Sequence, residues 1–202
     1  MGSTFKSVEQ YLPTINQDLV FVEIGSDRHE GSTEFFAELA LKNNTVLHTV
    51  DISVYAQQRL TRDKHWPEIV WHQASGSDWA ACTFPQLDKK IALLYLDNFD
   101  YDWDVTQSTP HIELQKKDYT ETFGISMTNE NCQVEHLKQM LALYPYMNDR
   151  IIVISDDTFQ FNDCWIGKCG PVVVYLLANG YKIITKEAGG IAGHNYGVIL
   201  AR

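Results

Sequence analysis

The stretch Leu19-Val-Phe-Val-Glu23-Ile-Gly25-Ser-Asp-Arg-His-Glu-Gly31-Ser-Thr33 decides the fold. Its first six residues are largely β-branched or aromatic, as in a strand. Gly25 and Gly31 bracket a turn, and the hydroxyl residues Ser32 and Thr33 open the next segment. From Ser32 to Lys42, Phe35, Phe36, Leu39 and Ala40 recur on one face at helical spacing. A strand, a glycine turn and an amphipathic helix make the opening unit of a parallel sheet with crossover helices.

The same alternation runs outward along the chain. Thr45 to Asp51, Glu68 to Gln73, Ile91 to Leu96 and Arg150 to Ser155 read as further strands, and the continuously apolar fourth one marks the sheet centre. A helix is expected near Asn129 to Tyr144, ended by Pro145, and another from Gly170 to Asn179, closed by Gly180. Tyr181 to Lys186 and Tyr196 to Ala201, joined by the glycine-rich turn Ala188 to Gly193, read as an antiparallel edge pair. The expected fold class is α/β: a Rossmann-like, seven-stranded, mostly parallel sheet with helices on both faces and a C-terminal antiparallel hairpin. At 202 residues one domain, 1–202, is expected. Residues 102–128 fit neither period and read as an irregular lid or insertion.

Composition narrows the partners. With 45% hydrophobic and 21% charged residues the chain has the makings of an ordinary core. A formal net charge of -10 repels phosphate backbones and anionic lipid, which argues against nucleic acid and membrane as partners and for a small molecule. The N-terminus lacks a basic-then-apolar leader, so cytoplasmic residence is expected. The four cysteines, Cys82, Cys132, Cys164 and Cys169, show no paired metal spacing and read as free thiols. A homo-oligomer is compatible with the sequence.

Ligand chemistry gathers at the strand ends. Asp51 closes the second strand, where a carboxylate in such folds accepts hydrogen bonds from ribose hydroxyls. With Gly25, Ser26, Gly31, Ser32 and Thr33 it outlines a site for an adenosine-type ligand. The G-x-G-x-x-G spacing of dinucleotide sites is absent, and Glu23 would repel a pyrophosphate but suits a cationic ligand. Ala74-Ser75-Gly-Ser77-Asp78 supplies small and hydroxyl groups for an adenine edge. Ordinary βα turns are the alternative reading of these glycines. Opposite, Asp97 ends the fourth strand, and Asp156 and Asp157 end the fifth. Parallel strand ends converge, so three carboxylates would repel one another unless protons or a cation such as Mg2+ intervened. Solvated turn carboxylates are the alternative there. Phe99, Tyr101, Trp103, Phe159, Phe161 and Trp165 flank these acids and suit a pocket wall.

On these residues the chain resembles the class I S-adenosylmethionine-dependent methyltransferases, which carry an acidic-x-Gly motif after strand one, an acid after strand two and a terminal antiparallel hairpin. The resemblance covers nearly the whole chain, and the turn from Gly25 to Gly31 is longer than the family's usual glycine spacing. Within that family the acids look like those of the metal-dependent O-methyltransferases, of the catechol and macrocin types. The resemblance implies S-adenosylmethionine as cofactor, with Glu23, Gly25, Ser26, Gly31, Ser32, Thr33, Asp51, Ser75, Ser77, Asp78 and Asp97 toward it. It also implies Mg2+ or a similar ion on Asp97, Asp156 and Asp157, activating a hydroxyl of a small molecule. Where those families often place a Lys or His base, three residues after the first metal Asp, this chain has Asp100. Asp100 is the first candidate base, with Lys168, His136 and His111 as others. Two alternatives stand beside this reading: a metal-independent transferase acting on an amine, and a metal- or nucleotide-binding module without catalysis.

Overall fold

The structure, a computed structural model, describes residues 4–26, 30–62, 64–102, 109–186 and 197–202. Strands β1 (Leu19–Ile24), β2 (Leu47–Asp51), β3 (Ile69–Gln73), β4 (Lys90–Leu96) and β5 (Met147–Asp156) run parallel. They join a seven-stranded sheet in the order β3-β2-β1-β4-β5-β9-β8, completed by β8 (Lys182–Lys186) and β9 (Gly197–Ala201). β9 inserts antiparallel between β5 and β8. The fold class read from the sequence is therefore the one observed. The turn expected at Ala188–Gly193 and the aromatic Trp103 lie outside the described residues.

Alternation along the central strands builds two cores. On one face Val20, Val22, Ile24, Leu94 and Leu96 pack against helices α5 (Asn129–Leu143) and α6 (Gly170–Ala178) through Met140, Leu143, Val172, Val173 and Leu176. On the other, Phe21, Leu93 and Tyr95 meet α1 (Ser32–Lys42) through Phe36, Ala37, Leu39 and Ala40. An N-terminal 3-10 segment, Thr4–Tyr11, closes this second layer, with Phe5 packing among the rings of Phe35, Phe36 and Tyr95. Burial of a Phe- or Leu-sized side chain contributes roughly 1.5–3 kcal/mol each, so the two layers dominate stability. Two short helices follow β2 and β3: α2 (Tyr55–Leu60), and α3 (Gly76–Asp78), which continues through helical turns to Leu87. No described helix is long and apolar enough to cross a membrane.

Two departures from the sequence reading bear on the site. The segment 102–128, expected to be irregular, contains the helix α4 (Pro110–Phe123). Its ends are chemically marked: Thr109 caps the Ile112 amide, Pro110 sits in the first turn, and Gly124 adopts φ +67° at the C-terminus. Much of its surface is exposed, which is why no apolar stripe announces it. The residues after β5 form a two-stranded hairpin, β6 (Thr158–Phe161) and β7 (Cys164–Gly167). Asn162 and Asp163, at φ 47° and 61°, make its two-residue turn, a conformation these residue types tolerate.

Candidate functional site

A cavity of about 300 Å3 opens at the carboxyl ends of β1, β2, β3 and β4, where the sheet order reverses. Its lining runs from Gly25, Ser26, Asp51, Ile52, Ala74, Ser75 and Gly76 at one end to Asp97, Asn98, Phe99, Asp100, Tyr119, Phe123 and Lys168 at the other. Such concave sites at a topological switch point are where open α/β sheets hold ligands.

The first end is built by Gly25. It has φ +98°, and a Cβ there would lie 2.5 Å from the backbone of Asp97 and Asn98. Glycine alone lets β1 turn away while β4 passes this closely. Asp51 then ties the turn together, its Oδ2 accepting from the Ser26 amide (3.0 Å) and its Oδ1 from the Ser53 amide (2.7 Å). Asn98 lines the cavity with its side-chain oxygen buried and lacking a partner among the described residues. A buried acceptor of this kind is costly unless a ligand or water donates to it.

Several residues assigned to the ligand by sequence take a different place. Glu23 is fully buried and does not line the cavity; its carboxylate accepts from Ser32 Oγ (2.7 Å), Thr33 Oγ1 (2.7 Å) and Thr49 Oγ1 (2.6 Å). This network locks the start of α1 to β1 and β2, so Glu23, Ser32 and Thr33 shape the turn from behind. Gly31, at φ +84°, is the residue before α1, and apart from its chain neighbours no atom of the described residues lies within 4 Å of where its Cβ would be. Residues 27–29 of the same turn lie outside the described residues. Ser75 lines the cavity, whereas Ser77 donates from its amide and hydroxyl to Glu135, both at 3.0 Å, and Asp78 lies in α3 away from the lining.

At the second end the acids of β4 and β5 are close together, but their counter-charge is a lysine. Lys168 Nζ lies 2.6 Å from Asp97 Oδ1 and 3.0 Å from Asp157 Oδ2. Burial disfavours its ammonium, but Asp97, Asp157 and Asp100 override this and hold its pKa well above the ordinary lysine value. Asp156 belongs to the same cluster without touching the lysine: the Tyr95 hydroxyl lies between its Oδ2 (2.8 Å) and Asp97 Oδ2 (3.0 Å), and its Oδ1 accepts from the Asp157 amide (3.1 Å). Burial, then the charges of Asp97 and Asp157, pushes Asp156 up to about 7, and burial opposed by Lys168 leaves Asp97 at about 6. Among the described residues no group of three His, Cys, Asp or Glu side chains is arranged to hold a metal ion. The expected Mg2+ site on Asp97, Asp156 and Asp157 does not fit, since an ammonium stands between Asp97 and Asp157 and a tyrosine hydroxyl between Asp97 and Asp156. By sequence alone Lys168 is a cation unfavourably placed at a helix start. The hairpin β6–β7 resolves this by swinging the residue back over Asp157.

The candidate bases separate in the same way. Asp100 lines the cavity, its Oδ2 accepting from the Tyr119 hydroxyl at 3.2 Å. His136 lies buried in α5 and is not part of the lining: Nδ1 is 2.8 Å from the Cys132 carbonyl oxygen, Nε2 has no partner among the described residues, and burial first of all holds the ring at about 4. A neutral, enclosed imidazole is part of the packing behind the site. The aromatic wall consists of Phe99 and Tyr119, ring centroids 4.9 Å apart, with Phe123 beyond Tyr119. Tyr119 and Phe123 come from α4, the helix that apolar periodicity does not reveal. The Thr109-Pro110 start and Gly124 stop are the signals that point to it.

No protein-family model matches the chain, and no curated protein is a recognisable relative by sequence. Solved structures do resemble it. SMU.1697c of Streptococcus mutans, a candidate methyltransferase in complex with SAH, has a TM-score of 0.54 at 7% identity, covering 100% of this chain and 98% of its own. An rRNA methylase from Streptococcus thermophilus scores 0.53 at 13% identity over 98% and 94% of the two chains. The glycopeptide N-methyltransferase MtfA scores 0.51 at 9% identity over 100% and 95%. The shared feature is the fold, a Rossmann-like methyltransferase fold.

Proposed function

We propose that this protein is an S-adenosylmethionine-dependent methyltransferase acting on a hydroxyl of a small molecule. The observation that carries the reading is the continuous cavity joining the Gly25–Asp51 end to the Asp97–Asp100–Lys168 end. The residues of the first end suit the cofactor: Gly25 removes the Cβ that would close the floor, Asp51 offers a carboxylate for ribose hydroxyls, Ile52 and Ala74 add apolar lining, and Asn98 has an acceptor without a partner among the described residues. When bound, the cofactor supplies an electrophilic methyl on a sulfonium.

The remaining work falls to the chain. Phe99, Tyr119 and Phe123 wall the second end against water and favour a flat or apolar acceptor. Asp100, positioned by Tyr119, accepts the hydroxyl proton as the oxygen attacks in line. No step is assigned to a divalent metal, because Lys168 neutralises Asp97 and Asp157 from within the chain. The net charge of -10 favours a small acceptor over RNA.

A second reading, methylation of an amine, draws on one observation: the lining carries Glu30, Asp51, Asp97, Asp100 and Glu135 against Lys138 and Lys168, an excess of acid that attracts a cationic acceptor. Calorimetry with S-adenosylhomocysteine, followed by transfer of labelled methyl to panels of phenols, sugars and amines, separates the readings. Absence of adenosyl-ligand binding defeats both. Transfer only to amines replaces the first with the second, and binding with no transfer to any acceptor leaves a binding module.

A further inference from the structure

Two carboxylates from adjacent strands meet at one point, and the chain itself fills it. Asp97 Oδ1 and Asp157 Oδ2 stand 2.6 and 3.0 Å from Lys168 Nζ, a side chain only 8% exposed. A divalent ion such as Mg2+ is ordinarily held in enzymes by one or two carboxylates, with waters or substrate oxygens completing the shell. The pair Asp97 and Asp157 is such a carboxylate set, with an ammonium in the ion's place.

The ammonium is delivered by a specific piece of backbone. Gly167, at φ +94°, lies so close to Asp157 that a Cβ would collide with the Asp157 carbonyl oxygen. The Lys168 amide donates to that same carbonyl at 3.1 Å, and the Cys169 amide donates to Thr158 Oγ1 at 3.0 Å. Gln133 Nε2, from α5, donates to the Gly167 carbonyl at 3.0 Å. Main chain and side chain of Lys168 are thus both fastened to Asp157, and the hairpin β6–β7 holds the residue over the carboxylates rather than out in solvent.

We infer that Lys168 is the resident cation of the cavity's acceptor end, standing where a divalent ion would bind and excluding it, so that removing the lysine charge turns Asp97 and Asp157 into a divalent-cation site. An ammonium has three donors, and the two carboxylates take two. Lys168 lines the cavity, so the third is the donor for an acceptor oxygen, the polarising role a metal would otherwise have. That last role rests on the methyl-transfer reading; the exclusion of metal does not.

The test is a titration of Mn2+ alone, followed by electron paramagnetic resonance, on the intact protein and on Lys168→Ala, Lys168→Arg and Lys168→Ala/Asp157→Asn variants, with S-adenosylhomocysteine calorimetry on the same samples. Lys168→Ala is expected to bind one Mn2+ at least about tenfold more tightly than the unsubstituted protein, because a nearby positive charge has been removed. Lys168→Arg should not gain this, and the double variant should lose it. Equal Mn2+ binding with and without Lys168, or no gain in Lys168→Ala, overturns the inference. Lys168→Met, which keeps most of the side-chain volume, provides the same comparison if the alanine variant does not fold. Failure of every sample to bind S-adenosylhomocysteine counts against methyl transfer and leaves the Mn2+ result standing.

Discussion

Asp51 and Asp156 are both strand-end aspartates, yet their environments give them opposite duties. Asp51 accepts from two amides and still lines the cavity, where its carboxylate is placed to meet a ligand. Asp51→Ala is expected to weaken S-adenosylhomocysteine by roughly tenfold to a hundredfold, the loss of a hydrogen bond to a charged group, in isothermal calorimetry. Asp156 is buried against Tyr95 and is pushed up to about 7 from an ordinary 3.8. Its folded form therefore holds a proton that the unfolded chain releases, and the stability it contributes is present below about pH 4 and lost as pH rises through about 7. The buried His48 and His136 act in the opposite sense: both are lowered to about 4 from 6.5, so their contribution is present above about pH 6.5 and lost as pH falls. Comparing urea unfolding of the unsubstituted protein with Asp156→Asn from pH 4 to 8 cancels the histidines. The stability of the unsubstituted protein relative to the variant should decline across that range, and a flat difference would remove Asp156 from the titration. The residue types at the strand ends could be read from sequence, but which acid meets a ligand and which meets a tyrosine could not, because partners from distant segments set that.

Among the elements, the hairpin β6–β7 matters most to the site, since it converts Lys168 from a residue near a helix start into the counter-ion of β4 and β5. Gly167 is its pivot. Gly167→Ala introduces a Cβ against the Asp157 carbonyl at a positive φ, which is expected to cost about 1–3 kcal/mol in denaturant unfolding and to release the lysine. Gly31→Ala makes the useful contrast, with φ +84° but, among the described residues beyond its chain neighbours, no atom within 4 Å of the new methyl, so it should cost less. The parallel strands and helices α1, α5 and α6 were legible because each repeats an apolar pattern over enough residues to be seen. The hairpin is four residues a side, and α4 exposes much of its surface, so neither carries such a pattern. Their signals were punctuation instead: Asn162-Asp163 for the turn, and Thr109-Pro110 with Gly124 for the helix.

For the molecule as a whole, a ligand bound across β1, β2 and β4 couples to global stability, because it contacts strands from the centre of both cores. S-adenosylhomocysteine at about 100 times its Kd should add about 2.7 kcal/mol and raise the melting temperature by about 5–10 °C, measurable by scanning fluorimetry. No shift at saturating ligand would contradict the cofactor assignment. The fold class and the end of the sheet where chemistry gathers were determined by the sequence alone, since the period of apolar residues and the strand-end acids and glycines are local properties. Gly25 and Asp51, which the structure places in the cavity lining, stood out because each marks the end of a strand, a local feature of sequence. What only the tertiary structure decided was the pairing of charges. Glu23 was drawn into a hydroxyl network behind the turn, and the carboxylates awaiting a cation received one from Lys168, 71 residues from Asp97 along the chain. Electrostatic partnership depends on distance in space and on burial, and neither is written in the order of residues.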